Sequence, residues 1–430
     1  MTDVASSLFA KFDILHAHNL WWTESAQTFA ALPEFRRDVF DDLYADVRQL
    51  PQMVSVTGPP RVGKSTLLQQ CIQQLTKDAP DPEAQARRIV YFSMQAPGLE
   101  IPGFNQEKFF NELVAAAVQA SKGGQTYSFL DEIQRFPRWE LYSKKFYDLK
   151  TPVRFVVSGS ASAPIFKKSR ESLLGRLKNF HVLPFSLREW WSCPETGNLS
   201  PSGEPANSID KVLAKAGRMF QSADATRSLG GSRNVGCKLT AAVYFLPISC
   251  QISRYLPAKS PKTIPSLRPI FAQTPSAARA PRLIEYLNNS HELAQYRDKV
   301  EHVLFEGGFP EVWSLPTLLA KQEYPYQNQV EHVFFEDLMV AAELRKPEML
   351  RRFYLGLLKD SGRESNLTQI SSEIGLARST IETYFPPLEA TDLVWRLHKH
   401  TSTKSTPKAG NFKTYLVDLA VRNAVMKLSQ

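Results

Sequence analysis

Residues 53–68 read Met53-Val54-Ser55-Val56-Thr57-Gly58-Pro59-Pro60-Arg61-Val62-Gly63-Lys64-Ser65-Thr66-Leu67-Leu68. A short apolar strand, Met53 to Thr57, leads into Gly58 to Ser65, which fits G-x-x-x-x-G-K-[ST]. The glycines let the backbone curl so that successive N–H groups point at phosphate oxygens. Lys64 supplies a positive charge to β- and γ-phosphates, and Ser65 offers a hydroxyl to Mg²⁺. A helix expected over Ser65 to Thr76 aims its N-terminal dipole at the same anion. Its apolar face holds Leu67, Leu68, Cys71, Ile72 and Leu75. The candidate contacts to ATP therefore run Gly58, Pro59, Pro60, Arg61, Val62, Gly63, Lys64, Ser65 and Thr66.

Outward from the loop, strands alternate with helices. Ile89 to Met94, Tyr127 to Leu130, Val153 to Val157 and Phe180 to Leu183 read as strands, and Phe104 to Ala120 as a helix. Such alternation predicts an α/β fold with a parallel sheet covered on both faces. The third strand ends in Asp131-Glu132. After a phosphate loop, this pair predicts Asp131 on Mg²⁺ and Glu132 orienting and deprotonating the attacking water. The next strand ends in Ser158-Gly159-Ser160, and Ser158, before Ser160, is the hydroxyl expected between the acidic pair and the γ-phosphate. Leu173-Leu174-Gly175-Arg176 ends a helical pattern in arginine. Arg176 is a candidate charge-neutralising finger on a neighbouring subunit's γ-phosphate, or a cap on its own helix. The finger role would require a homo-oligomer.

Composition narrows the class. Of 430 residues, 43% are apolar and 22% charged, an ordinary balance for a globular chain. The longest apolar runs, such as 241–247, fall far short of the roughly 18 residues that span a bilayer. The start, Met-Thr-Asp, lacks the basic and apolar regions of a secretory signal. Cys71, Cys193, Cys237 and Cys250 form no C-x-x-C pair, which fits a reducing cytoplasm. His16 with His18, and His398 with His400, lack ligand partners and read as surface histidines.

The net charge of +9 suggests nucleic acid, but residues 200–280 hold eleven Lys and Arg against three acids. That stretch alone carries +8 and reads as a partly disordered insert. The last third closes with Glu348 to Leu358, Leu367 to Ile374 and Arg378 to Phe385 as helices. Two strands follow, Leu393 to His398 and Phe412 to Val417, flanking Lys399, Lys404 and Lys408. Three helices with a β-hairpin predict a winged helix. Its third helix offers Arg378, Ser379, Thr380 and Thr383 to duplex DNA, or serves as a protein-packing module. Pro386-Pro387 is expected to end that helix early.

Leu130-Asp131-Glu132-Ile133-Gln134-Arg135, Pro137, Trp139-Glu140, Ser158-Gly159-Ser160, Leu174-Gly175-Arg176 and Leu183 to Glu189 together resemble one branch of AAA-type ATPases of bacteria and archaea. Glu306 to Glu311 is similar to the turn linking that family's ATPase domain to a C-terminal domain of unknown function. The resemblance covers about 36–196 and 283–420. It implies an additional-strand P-loop fold, with Lys64, Ser65, Asp131 and Glu132 in the roles above. Relatives commonly continue into a nuclease-like segment that this sequence does not show, so no nuclease activity is expected.

The expected organisation is an N-terminal helical segment (1–48), a P-loop ATPase domain (49–196), the basic insert (197–282), a helical linker or lid (283–346) and the winged helix (347–430). The expected function is Mg²⁺-dependent hydrolysis of ATP to ADP and phosphate, coupled to the winged helix. The alternative is a nucleotide-gated DNA-binding regulator or protein switch with negligible turnover.

Overall fold

The computed structural model describes residues 15, 17–22, 29, 32–95, 105–120, 124–136, 138–160, 173–193, 302–331, 333, 347–398 and 411–426. The basic insert at 197–282, residues 1–14 and the wing lysines Lys399, Lys404 and Lys408 lie outside these. Residues 1–184 with 309–429 form one compact unit, and 185–308 with Gln430 group apart.

The first unit is built on α1 (Phe40–Gln49), β1 (Met53–Gly58), α2 (Lys64–Lys77), α3 (Pro82–Ala86), β2 (Ile89–Ser93), α4 (Gln106–Ala120), β3 (Thr126–Asp131), α5 (Trp139–Asp148), β4 (Val153–Ser160) and β5 (Leu177–His181). The five strands are all parallel, in the order β2-β3-β4-β1-β5. Alternation along each strand divides the core. Val54, Val56, Tyr91, Phe129, Val156 and Phe180 pack with Leu67, Leu68, Cys71, Ile72 and Leu75 of α2. Met53, Val90, Phe92, Leu130, Phe155 and Val157 pack with Phe109, Phe110 and Leu113 of α4 and with Trp139. Both faces are therefore covered, as parallel strands require.

Two boundaries differ from expectation. The first long helix starts at Phe40, whereas the sequence predicts an N-terminal helical segment over 1–48, with its amphipathic piece around Phe35 to Leu50. The preceding backbone is used elsewhere: the buried Gln70 amide donates to Pro33 O (2.8 Å) and Phe35 O (2.9 Å). The Arg37 guanidinium bridges Val62 O and Leu183 O, both at 2.8 Å. The fifth strand lies at Leu177–His181, three residues earlier than expected, and ends where Val182 N–H reaches Thr57 O at 2.7 Å.

After Phe309 the same unit continues through α7 (Leu318–Pro325), a π-helical turn (Tyr326–Glu331), α8 (Pro347–Lys359), β6 (Glu364–Ser365), α9 (Leu367–Ile374), α10 (Arg378–Ala390), β7 (Val394–His398), β8 (Phe412–Leu416) and α11 (Leu419–Met426). The second sheet is antiparallel in the order β6-β8-β7. Phe385 is its keystone, edge-on to Phe353 (5.0 Å) and to Phe412 (5.3 Å). Contrary to expectation, α10 runs through Pro386 and Pro387 to Ala390. A proline in a helix interior costs about 3 kcal/mol. Tyr384, Phe385 and Leu388 are buried on one face of α10, each contributing about 1.5–3 kcal/mol, so tertiary packing offsets the broken helix bonds.

In the second unit, α6 (Leu187–Ser192) carries a capping box. Ser186 Oγ accepts from Glu189 N–H, and the Glu189 carboxylate accepts from Ser186 N–H.

Candidate functional site

The site forms at the carboxyl ends of the parallel strands, where open α/β sheets place their ligands. β1 ends at Gly58, and the chain turns through Arg61 (φ 61°) and Gly63 (φ 88°), both left-handed, into α2. Pro59 and Pro60 carry no N–H, so the loop's backbone donors come from Arg61 onward. The first helix bond is Leu67 N–H to Gly63 O at 3.0 Å, and the earlier N–H groups of α2 lie at the positive end of its dipole. Lys64 is 6% exposed and its ammonium lies back over the loop, donating to Pro59 O (2.9 Å) and Gly58 O (3.2 Å).

Asp131, at the tip of β3 and 4% exposed, is the convergence point. Its Oδ2 accepts from Ser65 Oγ at 2.6 Å and from the Tyr91 hydroxyl at 2.9 Å. Its Oδ1 accepts from Glu132 N–H at 3.1 Å and from Ser158 Oγ. Four donors from α2, β2, β4 and the β3 tip thus fix one carboxylate. Ser160 is also buried, two residues beyond Ser158 on β4, opposite Gly58. Burial, then the charge and hydrogen bond of Asp131, push the Tyr91 phenol well above its ordinary value, so its proton stays on as the donor.

Glu132 follows in the left-handed region (φ 52°), a conformation that costs a non-glycine residue about 1–3 kcal/mol. Its carboxylate oxygen Oε2 accepts from the Gln134 amide. Ser65 Oγ and the Asp131 carboxylate form a convergent, all-oxygen donor pair, the hard ligand type that suits Mg²⁺. No cluster of three or more His, Cys, Asp or Glu side chains gathers for another metal among the described residues. His18, expected at the surface, is half-buried edge-on to Phe92 (5.1 Å), which holds its pKa below the usual histidine value.

Arg176 is not brought to this cluster. Its carbonyl accepts from Met53 N–H (2.8 Å) at the start of β1, and its Nε pairs with Asp148 at 3.1 Å. The five residue steps from Met53 to Gly58 put it about 17 Å from its own phosphate loop, at roughly 3.3 Å per step. Arg378, Ser379 and Thr383 stand exposed on α10, with Thr380 half-buried. Arg378 pairs with Glu382 at 3.5 Å, and the Thr383 hydroxyl donates to Thr380 O at 2.7 Å.

Sequence reading missed several groups around the loop. The buried Gln329 amide donates to Pro60 O at 2.7 Å, and Arg61 faces Glu311 at 3.7 Å. The His181 ring joins Thr57 Oγ1 (3.2 Å), one residue before the loop, to Asp392 Oδ1 (3.0 Å). Tyr91 also left no signal, since in sequence it is one more residue of an apolar strand. Gln329, Glu311, His181 and Asp392 come from distant sequence.

Residues 50–191 match the family model described as an AAA domain, and residues 297–430 match that of a domain of unknown function (DUF8612). Among solved structures, C. elegans PCH-2 is similar at 13% identity and a TM-score of 0.26, over 37% of this chain and 44% of that one. The S. cerevisiae Hsp104–ADP complex is similar at 14% identity and a TM-score of 0.31, over 76% and 49% respectively. The chain spans less than half the length of these two structures. No curated protein matches it. No described helix is long and apolar enough to cross a membrane.

Proposed function

We propose that this protein is a Mg²⁺-dependent ATPase that hydrolyses ATP to ADP and phosphate at the Gly58–Thr66 loop. The observation that carries the reading is the 2.6 Å contact between Ser65 Oγ and Asp131 Oδ2, with Lys64 and Glu132 flanking it. The AAA domain match over residues 50–191 supports it. Lys64 turns its ammonium from the loop carbonyls to the β- and γ-phosphates, and the N–H groups of Arg61 to Thr66 hold the phosphate oxygens. Ser65 and Asp131 would hold Mg²⁺, which when bound would neutralise phosphate charge. Ser158 keeps Asp131 in place and faces the γ-phosphate side. Glu132 takes the proton of the attacking water as the new O–P bond forms, and the β–γ bridging oxygen departs with ADP.

A finger role for Arg176 is confined to a neighbouring copy's γ-phosphate, because its own loop lies out of reach; within its own chain it pairs with Asp148. Buried thiols held outside any disulfide, Cys71 and Cys193, suit a reducing cytoplasm.

The order α8-β6-α9-α10-β7-β8 is read as a winged helix. It couples to the nucleotide through Asp392 on His181, and the π-helical turn before it through Gln329 on Pro60. Purified protein should release phosphate from ATP only with Mg²⁺, and Lys64→Ala should lose ATP binding by about 100-fold or more, since a desolvated charge–phosphate contact is worth several kcal/mol. Unchanged ATP affinity in Lys64→Ala would remove the loop from the reading.

The alternative, a nucleotide-gated DNA-binding regulator, is favoured by the outward placement of Arg378, Ser379 and Thr383 on α10. Duplex binding should then weaken steeply between 50 and 200 mM salt, by roughly 10³-fold for several phosphate contacts. No retention of duplex at low salt removes this version.

A further inference from the structure

We propose that Tyr91 is a positioning residue for the metal side of the site, holding Oδ2 of Asp131 from the sheet edge independently of the phosphate loop. The inference rests on the reading of Ser65 and Asp131 as the Mg²⁺-binding pair. Oδ2 has two hydroxyl donors, Ser65 at 2.6 Å and Tyr91 at 2.9 Å, and they belong to different kinds of element. Ser65 sits on the loop and first turn of α2, which must adjust to the nucleotide. Tyr91 sits on β2, the edge of the sheet, and is 7% exposed.

An edge strand presents a row of unpaired backbone groups. Here the edge is closed at Tyr91 itself. The fully buried Asn19 side chain accepts from Tyr91 N–H at 2.7 Å and donates to Tyr91 O at 2.8 Å, taking the place of a neighbouring strand. Its amide also donates to Leu15 O at 2.6 Å. One turn later, Trp22 Nε1 donates to Ile89 O at 2.9 Å. The rings of Trp21 and His18 lie 6.4 Å from the Tyr91 ring. The phenol is thus anchored through its backbone and ring, and its hydroxyl is directed at the carboxylate. Groups that orient a metal-binding carboxylate in this way typically change metal affinity or activity by 10–100-fold when removed.

The test is Tyr91→Phe, which keeps the buried ring. Binding of a fluorescent ATP analogue is titrated with Mg²⁺, with and without EDTA, beside thermal unfolding of the full chain. The half-saturating Mg²⁺ concentration is expected to rise by about 10-fold or more. Analogue affinity in EDTA should stay at the wild-type value. A purely structural role would lower the melting temperature and leave the Mg²⁺ titration in place, which would overturn the proposal. Asp131→Asn separates the two levels. If it loses Mg²⁺ dependence while Tyr91→Phe titrates at the wild-type midpoint, Tyr91 has no positioning role. If Asp131→Asn also titrates at the wild-type midpoint, the metal assignment is wrong and the proposal falls with it.

Discussion

Glu132→Gln is expected to lower ATP turnover by about 10²–10⁴-fold while Mg²⁺–ATP still binds, because general-base catalysis contributes that much and nothing else in the site is altered. The substitution is nearly isosteric. The amide oxygen of a glutamine at 132 can still accept from the Gln134 side chain, which now holds Oε2, so the local turn is retained. The left-handed backbone (φ 52°) strains Gln and Glu alike, so stability should hardly move. What disappears is a group able to take a proton from water at neutral pH. Lys64→Ala fails at a different step, losing the binding that Glu132→Gln keeps. Phosphate release under saturating ATP, with analogue binding measured in parallel, separates the two. Full turnover in Glu132→Gln would show that another group is the base.

The second large effect is expected at Gly58, where Gly58→Ala should destabilise the fold by about 3 kcal/mol or more and abolish nucleotide binding. A Cβ at this position would stand 1.9 Å from the Val182 carbonyl oxygen and 3.0 Å from its carbon. Both are backbone atoms, so no side chain can swing aside. The backbone there also has φ 156°. Val182 cannot retreat cheaply, because its N–H bonds Thr57 O at 2.7 Å and the strand before it pairs with β1 from Met53 to Thr57. Relief would pull β5 off β1 at the mouth of the phosphate loop. Gly63 makes the contrast. It is left-handed (φ 88°) but a Cβ would meet nothing within 4 Å, so Gly63→Ala should cost only about 1 kcal/mol of backbone strain. Denaturant unfolding of the two variants tests the difference. Equal midpoints would mean that the Gly58–Val182 approach relaxes without cost.

The local chemistry of the phosphate loop was legible because it is written in neighbouring residues. Glycines at two fixed positions, a lysine and a hydroxyl define a turn whose dihedrals and dipole follow from those residues alone. The alternation of apolar strands with amphipathic helices likewise implied the five parallel strands. The helix across Pro386-Pro387 was misread because local propensity disfavours it, and only the buried face of Tyr384, Phe385 and Leu388 reverses that preference.

Other parts of the site depend on register and long-range packing. Tyr91 reads in sequence as one more apolar strand residue. Its hydroxyl finds Asp131 because β2 and β3 align Tyr91 with Phe129, two residues before the carboxylate on the same face. Arg176 reads as a finger for a neighbouring subunit or a cap on its own helix, and the pairing of Met53 with Leu177 sets it at the opposite end of the sheet from its own loop. Gln329 reaches Pro60 across 269 residues of sequence. By itself, the sequence determined the phosphate loop, the acidic pair and the sheet class, since each arises from interactions a few residues long. Tertiary structure decided which donors fix Asp131, where Arg176 points and what touches the loop from the C-terminal side. Those contacts form only when distant strands and helices bury their apolar faces together.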